Sequence, residues 1–246
     1  MARAKILLGA DPEFELTRRS SWKYDPARAL ESFYDSGEPF DECNDKRIGV
    51  DGAGEAVEFR PYPGIDSKWL VINTKRLFKR FKARFKGYGL SVAGNCTPLG
   101  AHIHFGVALD GKHFAPFTLG EHCAHMFDYA IGEYLMNRSG KSREDSGYKS
   151  LSDCRPNEHG FEYRTPAAIL FAKPAYVELV GRLLKAILEY YLRCRSTIDR
   201  VSKEKLHKIV DKIKAAVLTP RDQDTLADLE EYRPSLRDNV IKYWEV

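Results

Sequence analysis

Four short segments of the sequence carry two polar side chains two residues apart, with an apolar residue between them. They are Glu13-Phe14-Glu15, Glu58-Phe59-Arg60, His102-Ile103-His104 and Glu162-Tyr163-Arg164. Because side chains alternate between the faces of a β-strand, each polar pair lies on one face and the residue between points toward a packed layer. Four such strands in one sheet would line one surface with carboxylates, imidazoles and guanidinium groups. Carboxylates and imidazoles bind Mg²⁺ or Mn²⁺, and arginines bind phosphate oxygens, so the set predicts a site for metal-bound phosphate.

Each pair taken alone also fits the solvent-facing side of an antiparallel strand. A solvated face usually carries Lys, Thr, Ser and Gln, however, whereas these four faces carry only Glu, His and Arg. The joint pattern therefore favours one shared site over four independent exposed faces.

The bulk composition is that of a globular protein, with 246 residues of which 43% are hydrophobic and 30% are charged. The net charge of +4 is too mild to indicate nucleic acid binding by itself. No apolar run approaches the roughly 20 residues of a membrane helix, so no membrane association is expected. The apolar stretch Ile6-Leu7-Leu8 is too short for a secretory signal. Five cysteines without a CxxC motif favour reduced thiols, and we expect a cytoplasmic protein.

Hydrophobic periodicity places the polar pairs on strands that alternate with helices. We predict strands near 4–16, 46–50, 55–60, 89–94, 101–109 and 159–165. Helical periods run from Leu70 to Phe85 and from Phe127 to Leu135. Two more helices follow Pro174 and Ser202, and Thr219-Pro220 should end the second. We predict a long, polar, irregular loop over residues 17–45. The pattern predicts one α+β domain over 1–246 on an antiparallel sheet, with a motif-bearing part (4–170) and a helical part (174–246).

Longer motifs extend the four pairs. They are Gly9-Ala10-Asp11-Pro12-Glu13-Phe14-Glu15-Leu16, Val50-Asp51-Gly52 followed by Val57-Glu58-Phe59-Arg60-Pro61, Gly100-Ala101-His102-Ile103-His104-Phe105-Gly106 and Phe161-Glu162-Tyr163-Arg164-Thr165-Pro166. In this order they resemble the phage-type carboxylate–amine ligases, the amidoligase branch of the glutamine synthetase-like superfamily. The resemblance implies a curved, open antiparallel sheet or barrel, backed by helices, whose concave face holds ATP and two or three Mg²⁺ or Mn²⁺ ions. For a phage-encoded enzyme, the compartment would be the host cytoplasm.

The resemblance also implies roles for individual residues. The positions that match the metal ligands of the family are Glu13, Glu15, Glu58, His102 and Glu162. His104 matches the histidine nearer the nucleotide phosphates, and Arg164 matches an arginine that contacts the transferred phosphoryl group.

Three further positions are candidates for the same site. Arg60 shares a face with Glu58, and it either binds phosphate or substrate carboxylate or forms a structural ion pair with Glu58. Arg155 is a weaker candidate for binding phosphate or the substrate carboxylate. Glu55 is a candidate partner of Glu58, although strand alternation puts it on the opposite face unless a bulge intervenes.

The function that the resemblance implies is ATP-dependent formation of an amide or peptide bond through an acyl phosphate. The substrates would be a small-molecule or peptide carboxylate and an amine. Two alternatives stay open. One is a metal-dependent hydrolase or nuclease, because the same side chains and metals also activate water. The other is a binding protein on a degenerate ligase scaffold, against which the complete set of metal-ligand types argues.

Two other features carry charge or metal-binding side chains. Residues 68–86 contain eight Lys or Arg and no acid, a pattern typical of a solvated helix face, with a nucleic-acid or acidic-partner surface as the alternative. His122 and His125 have helical spacing compatible with zinc. No second ligand pair accompanies them in the sequence, so we do not expect zinc there. Cys96 has no neighbouring base and is expected to be structural.

Overall fold

The four polar pairs lie on or directly after neighbouring strands of one antiparallel sheet. The computed structural model describes residues 4–18, 47–50, 56–94, 98–136, 138, 150–235 and 237–245. The strands in these residues are β1 (Lys5–Arg18), β2 (Ile48–Val50), β3 (Val57–Phe59), β4 (Tyr88–Ser91), β5 (Ala101–Ala108), β6 (Cys154–Asn157) and β7 (Gly160–Tyr163). Their order is β2-β3-β1-β5-β7-β6, and β4 also pairs with β1. The pair-bearing strands β3, β1, β5 and β7 are therefore consecutive, as predicted, in a sheet that is open within the described residues.

The long strand β1 changes partner along its length. Residues 5–12 pair with β5, whereas residues 15–18 pair with β4. Glu13 and Phe14 pair with β3. The pairing with β5 ends at Pro12, which has no N–H to donate to a ladder. As a result, the two ends of β1 belong to different parts of the sheet.

The apolar residues between the polar pairs form the packed layer that strand alternation predicts. Their side chains are buried: Phe14, Phe59, Ile103 and Tyr163. The Phe14 and Phe59 ring centroids are 5.0 Å apart, and Phe59 lies 5.0 Å from Phe78. Phe78 stacks in turn on Trp244 at 4.7 Å. This aromatic cluster fixes the back of the sheet, and the polar side chains are left on its other face.

The helices pack around the sheet and over its back. They are α1 (Ser67–Arg84), α2 (Glu121–Phe127), α3 (Glu133–Met136), α4 (Pro174–Ile198), α5 (Lys203–Val217) and α6 (Pro220–Glu231). A π-helical turn, Asp128–Gly132, joins α2 to α3. Short 3₁₀ turns occur at Ala168–Phe171 and Val240–Trp244. In the described part of the chain, no helix combines the length and the apolar character needed to cross a bilayer.

The predicted helices are confirmed, with one difference at Pro220. Pro220 does not merely end α5; it is the first residue of α6, where a missing N–H has no cost. Thr219 caps this helix, because its hydroxyl accepts a hydrogen bond from the Asp222 N–H and the Asp222 carboxylate accepts one from the Thr219 N–H. The last strand before the final motif, β6, was not predicted.

Some predicted features lie outside the described residues: most of the predicted loop 17–45, Glu55 and Cys96. The three described cysteines, Cys123, Cys154 and Cys194, are free thiols.

Candidate active site

Strand register brings polar side chains of β1, β5 and β7 together. Asp11 of β1 lies opposite His102 of β5, and His104 of β5 lies opposite Glu162 of β7. On the other side of β1, Glu13 lies opposite Glu58 of β3. Four neighbouring strands, β3, β1, β5 and β7, therefore supply adjacent carboxylates and imidazoles on one face of the sheet.

Asp11 bridges the two histidines of β5. Its Oδ1 lies 3.2 Å from His102 Nδ1, and its Oδ2 lies 3.1 Å from His104 Nε2. Burial alone would raise the pKa of Asp11, but the hydrogen bonds and charges of both histidines lower this pKa to about 2. Burial alone would lower the pKa of His104, whereas the hydrogen bond that its ring donates to Asp11 and the surrounding negative charges raise this pKa. Asp11 is thus ionised and holds both rings in place.

Two arginines and a histidine surround the Glu162 carboxylate. Arg155 of β6 donates through Nε to Oε2 at 2.8 Å, and Arg164 Nε lies 3.1 Å from Oε1. His102 Nδ1 also lies 3.2 Å from Oε1. Arg164 is held in turn by Asp153, whose carbonyl accepts from the Arg164 N–H at 2.7 Å. Glu162 therefore places two guanidinium groups beside the histidines of β5.

Asp11, His104 and Glu162 form a candidate metal centre. One ligand atom from each lies within 4.8 Å of the others. Two carboxylate oxygens and one imidazole nitrogen are a donor set that suits Mn²⁺ or Mg²⁺, so the residues present fit such an ion. The three residues also line a cavity of about 670 Å³ together with Glu58, Arg60, Pro61, Pro63 and Phe114. The centre is therefore open to a molecule of nucleotide or substrate size.

Glu58 and Arg60 lie at the side of the same cavity. Arg60 Nε is 2.5 Å from Glu58 Oε1, so the ion pair that was one of the two predicted alternatives is present. Burial, the largest effect, raises the pKa of Glu58 to about 7 against the opposing charge of Arg60, and the charges of Asp11 and Glu13 add smaller upward effects. Glu58 does not belong to the three-residue metal cluster, but it carries a carboxylate that can exchange a proton near neutral pH.

Glu13 and Glu15 are buried and do not line the cavity. Glu13 Oε2 accepts a hydrogen bond from the Gly100 N–H at 2.6 Å, which ties β1 to the residue just before β5. Glu15 lies opposite Ser91, where β1 has already left β5 for β4. His102 is also buried, and a β-carbon at Gly100 would lie 2.5 Å from its Nε2, so glycine leaves the space that the ring occupies.

The buried carboxylate of Asp128, on the π-helical turn, contacts residues next to Glu162 and Arg164. Asp128 accepts hydrogen bonds from Tyr163 Oη at 2.8 Å and from Ser152 Oγ at 2.5 Å. Tyr163 lies between Glu162 and Arg164 in the chain, and Ser152 precedes Asp153. Asp128 thereby joins the turn before β6 to β7.

The histidines considered for zinc lie elsewhere. His125 Nε2 is 3.1 Å from His207 Nε2 of α5, and the Tyr129 ring stacks on His207. Among the described residues, no third ligand lies close enough to His125 and His207 to form a three-residue metal cluster. The three-residue cluster found there is Asp11, His104 and Glu162.

Comparison with known proteins shows the family. Residues 8–244 match the model of the family described as "Phage phiEco32-like COOH.NH2 ligase-type 2". The chain belongs to this family. It is also similar to a solved structure titled "Crystal structure of novel glutamine synthase homolog", with a TM-score of 0.48 and 12% sequence identity. That similarity covers 98% of this chain and 71% of the other. A comparison with curated proteins gives no match.

As a member of the phage-like COOH.NH2 ligase family, the protein is assigned to enzymes that join a carboxylate to an amine through a C–N bond. Sequence reasoning undervalued two residues of this ligase. The sequence motif contains Asp11 without singling it out, although the alternation through Glu13 and Glu15 extends back to it. Arg155 was ranked below Arg164, because nothing in the sequence showed that β6 would pair with β7 and place Arg155 opposite Glu162.

Proposed function

We propose that the protein is an ATP-dependent carboxylate–amine ligase that forms an amide or peptide bond through an acyl phosphate. The observation that supports this most directly is the joint position of Asp11, His104 and Glu162 in one cavity, with Arg155 and Arg164 on Glu162. A ligand set for a divalent ion beside two guanidinium groups suits a triphosphate, whose charge must be neutralised before a second anion can approach.

The reaction needs two displacements. An oxygen of the substrate carboxylate attacks the γ-phosphorus of ATP, the bond to the bridging oxygen breaks, and ADP leaves. The amine nitrogen then attacks the carbonyl carbon of the acyl phosphate, phosphate leaves, and the nitrogen loses a proton. Both steps depend mainly on positioning and on neutralising charge.

Asp11, His104 and Glu162 would hold a divalent ion, which when bound screens the repulsion between ATP and the substrate carboxylate. We retain Glu13, Glu15, Glu58 and His102 as proposed contributors to metal binding. In the structure, His102 contacts two of the cluster carboxylates, so its direct contribution would be to orient Asp11 and Glu162.

The arginines would bind the anionic groups of the substrates. Arg155 and Arg164 contact the two oxygens of Glu162. Their planar, permanently charged forks would suit phosphate oxygens. Arg60 lies at the more exposed side of the cavity, where exchange of its Glu58 contact for a substrate carboxylate would leave the metal cluster intact. The family assignment favours this ligase chemistry over the hydrolase alternative.

The test is a screen of amino acids, short peptides and polyamines, in pairs, for release of ADP and phosphate. The proposal predicts ADP release only when a carboxylate and an amine are both present, with a condensed product detected by mass spectrometry in equal amount. Glu162→Ala should abolish it, and Glu231→Ala, on the exposed side of α6, should not. Hydrolysis of a peptide or phosphodiester without ATP consumption would contradict the proposal.

A further inference from the structure

Exposed apolar side chains concentrate in the segment that runs from the cavity-lining Pro61 into α1. Among the described residues, four of the six large hydrophobic side chains that are exposed fall between residues 62 and 72. These four residues, which we call the rim patch, are Tyr62 (61% exposed), Ile65 (55%), Trp69 (45%) and Ile72 (42%). Scattered exposed hydrophobic residues are normal, but a contiguous group beside a site indicates an interaction surface.

The rim patch is fixed to the cavity by backbone contacts. Pro61 and Pro63, on either side of Tyr62, line the cavity. Gly64 exchanges two hydrogen bonds with Leu8 of β1, at 2.7 and 2.8 Å. The carbonyl of Tyr62 accepts from Asn73 Nδ2 at 2.9 Å. The patch therefore has a preformed position, and at Tyr62 it adjoins the two prolines that line the cavity.

A basic surface continues from the rim patch along α1. All eight Lys and Arg side chains of residues 68–86 are exposed. Ile72 shares the outer face of α1 with Lys68, Lys75 and Lys79, which lie four residues before it and three and seven residues after it. None of these three lysines has an ion-pair partner in the part of the chain that the structure describes. Outside residues 68–86, the chain has 31 basic and 35 acidic side chains, so the positive charge is concentrated here.

We propose that the rim patch and the basic face of α1 bind an acidic polypeptide that also carries apolar side chains, and that this polypeptide supplies the carboxylate substrate. This inference rests on the proposed ligase function. Trp69 and Tyr62 are residue types that anchor protein interfaces, and the lysines complement acidic side chains. A nucleic acid would match the charge, but it has no carboxylate for the ligase and gains little from the two exposed isoleucines.

The dimensions agree with this partner. The 18 residues of α1 extend about 27 Å. An extended peptide of roughly 12 residues spans about 40 Å, so it is longer than α1 and can extend past the helix toward Tyr62 and the cavity-lining prolines.

The binding test uses fluorescein-labelled probes of about 12 units at roughly 50 and 200 mM salt, without ATP or metal. The probes are a Glu-Ser peptide with two leucines, the same peptide with serine for leucine, its Lys-for-Glu counterpart, and an oligothymidylate. The leucine-containing acidic peptide should bind at least about 10-fold more tightly than each of the others. Tighter binding of the oligothymidylate, or equal binding of the acidic peptide that lacks leucine, would overturn the proposal.

Matched variants locate the surface. Trp69→Ala, Ile72→Ser and the triple variant K68Q/K75Q/K79Q should each weaken binding of the acidic peptide by about 10-fold. All of these positions are exposed, so the fold should be retained, and circular dichroism checks it. The control is K205Q/K208Q/K212Q on α5, three exposed lysines interspersed with Glu204 and Asp211. An equal loss in the control variant would overturn the assignment to α1.

An assay of ADP release distinguishes this inference from the ligase proposal. With ATP, Mg²⁺ and an amine substrate added, the acidic peptide should stimulate ADP release, and the same peptide with its carboxyl groups amidated should not. If small carboxylates support ligation while the peptide neither binds nor reacts, the polypeptide substrate is wrong and the ligase function stands. If the peptide binds at α1 but no carboxylate supports ADP release, the surface stands and the ligase function is wrong.

Discussion

Arg155 and Glu162 face each other across the β6–β7 hairpin, with Arg155 Nε 2.8 Å from Oε2 and Nη2 3.4 Å from Oε1 of the glutamate. Arg164 approaches Oε1 of the same carboxylate to 3.1 Å. Glu162 is thus linked both to the candidate metal centre and to two guanidinium groups. This link couples the metal-binding part of the site to the part that would bind phosphate, and it makes the two functions separable by mutation.

Arg164→Ala should act on turnover and spare metal binding. Removing one preorganised donor to a developing negative charge typically costs on the order of 10²- to 10³-fold in turnover, or about 3 to 4 kcal/mol. Mn²⁺ affinity should not fall, because loss of a cation beside Glu162 leaves that carboxylate more negative. Arg164→Lys should restore little, since an ammonium cannot reproduce a bidentate fork. Rates of ADP release and Mn²⁺ titrations on the same preparations measure both effects.

The control for this prediction is Arg200→Ala, at an exposed position after α4. If Arg164 only forms a structural pair with Glu162, the alanine variant would lose thermal stability but keep normal turnover per folded molecule. That result would remove Arg164 from the proposed mechanism.

Asp128→Ala should destabilise the fold strongly. The substitution leaves the buried Tyr163 hydroxyl without its acceptor, and an unsatisfied buried group costs roughly 1 to 3 kcal/mol. The Ser152 hydroxyl also loses its acceptor, but it lies at an exposed position and can bond to water. We therefore expect a loss of about 1 to 3 kcal/mol in the free energy of unfolding, measured with urea. Asp211→Ala removes an exposed acceptor of Tyr129 and should cost less than about 1 kcal/mol. Similar losses in both variants would show that the Asp128 contacts contribute little.

Glu58→Gln should stabilise the metal-free protein more at pH 8 than at pH 5. The pKa of Glu58 is raised to about 7 in the folded protein, above the ordinary value of 4.5 that it takes in the unfolded chain. Its contribution to stability is therefore fully present below pH 4.5 and is lost as the pH rises through 7. A shift of this size corresponds to roughly 3 kcal/mol at most, which the neutral amide would avoid. Urea unfolding with chelator at both pH values measures the difference, and an equal effect at pH 5 and pH 8 would contradict it.

Strand alternation allowed the main features of the site to be predicted, because it depends on local geometry alone. It placed Phe14 and Phe59 in the core and His104 and Glu162 on the opposite face, as the structure shows. Register between strands is set by long-range pairing and could not be read from the segments. The separation of Glu15 from the cavity is an example, since it follows from the change of partner of β1 after Pro12.

The contribution of β6 could not be predicted for a different reason. The strand is only four residues long, from Cys154 to Asn157, and it contains Pro156, which argues against a strand except at an edge. It is an edge strand, and its pairing with β7 brings Arg155 to Glu162. Its four residues are too few to show the hydrophobic alternation that would predict a strand here.

The central claim is that Asp11, His104 and Glu162 hold a divalent ion on which ATP binding depends. Its most direct test is calorimetric titration of a non-hydrolysable ATP analogue, with Mn²⁺ or with chelator, into wild type, Asp11→Asn and the exposed control Asp224→Asn. With Mn²⁺, we expect wild type and Asp224→Asn to bind the analogue tightly. Affinity for the analogue should fall by at least about 10-fold on chelation and in Asp11→Asn. Equal affinity for the analogue with Mn²⁺ and with chelator in the wild-type protein would contradict it.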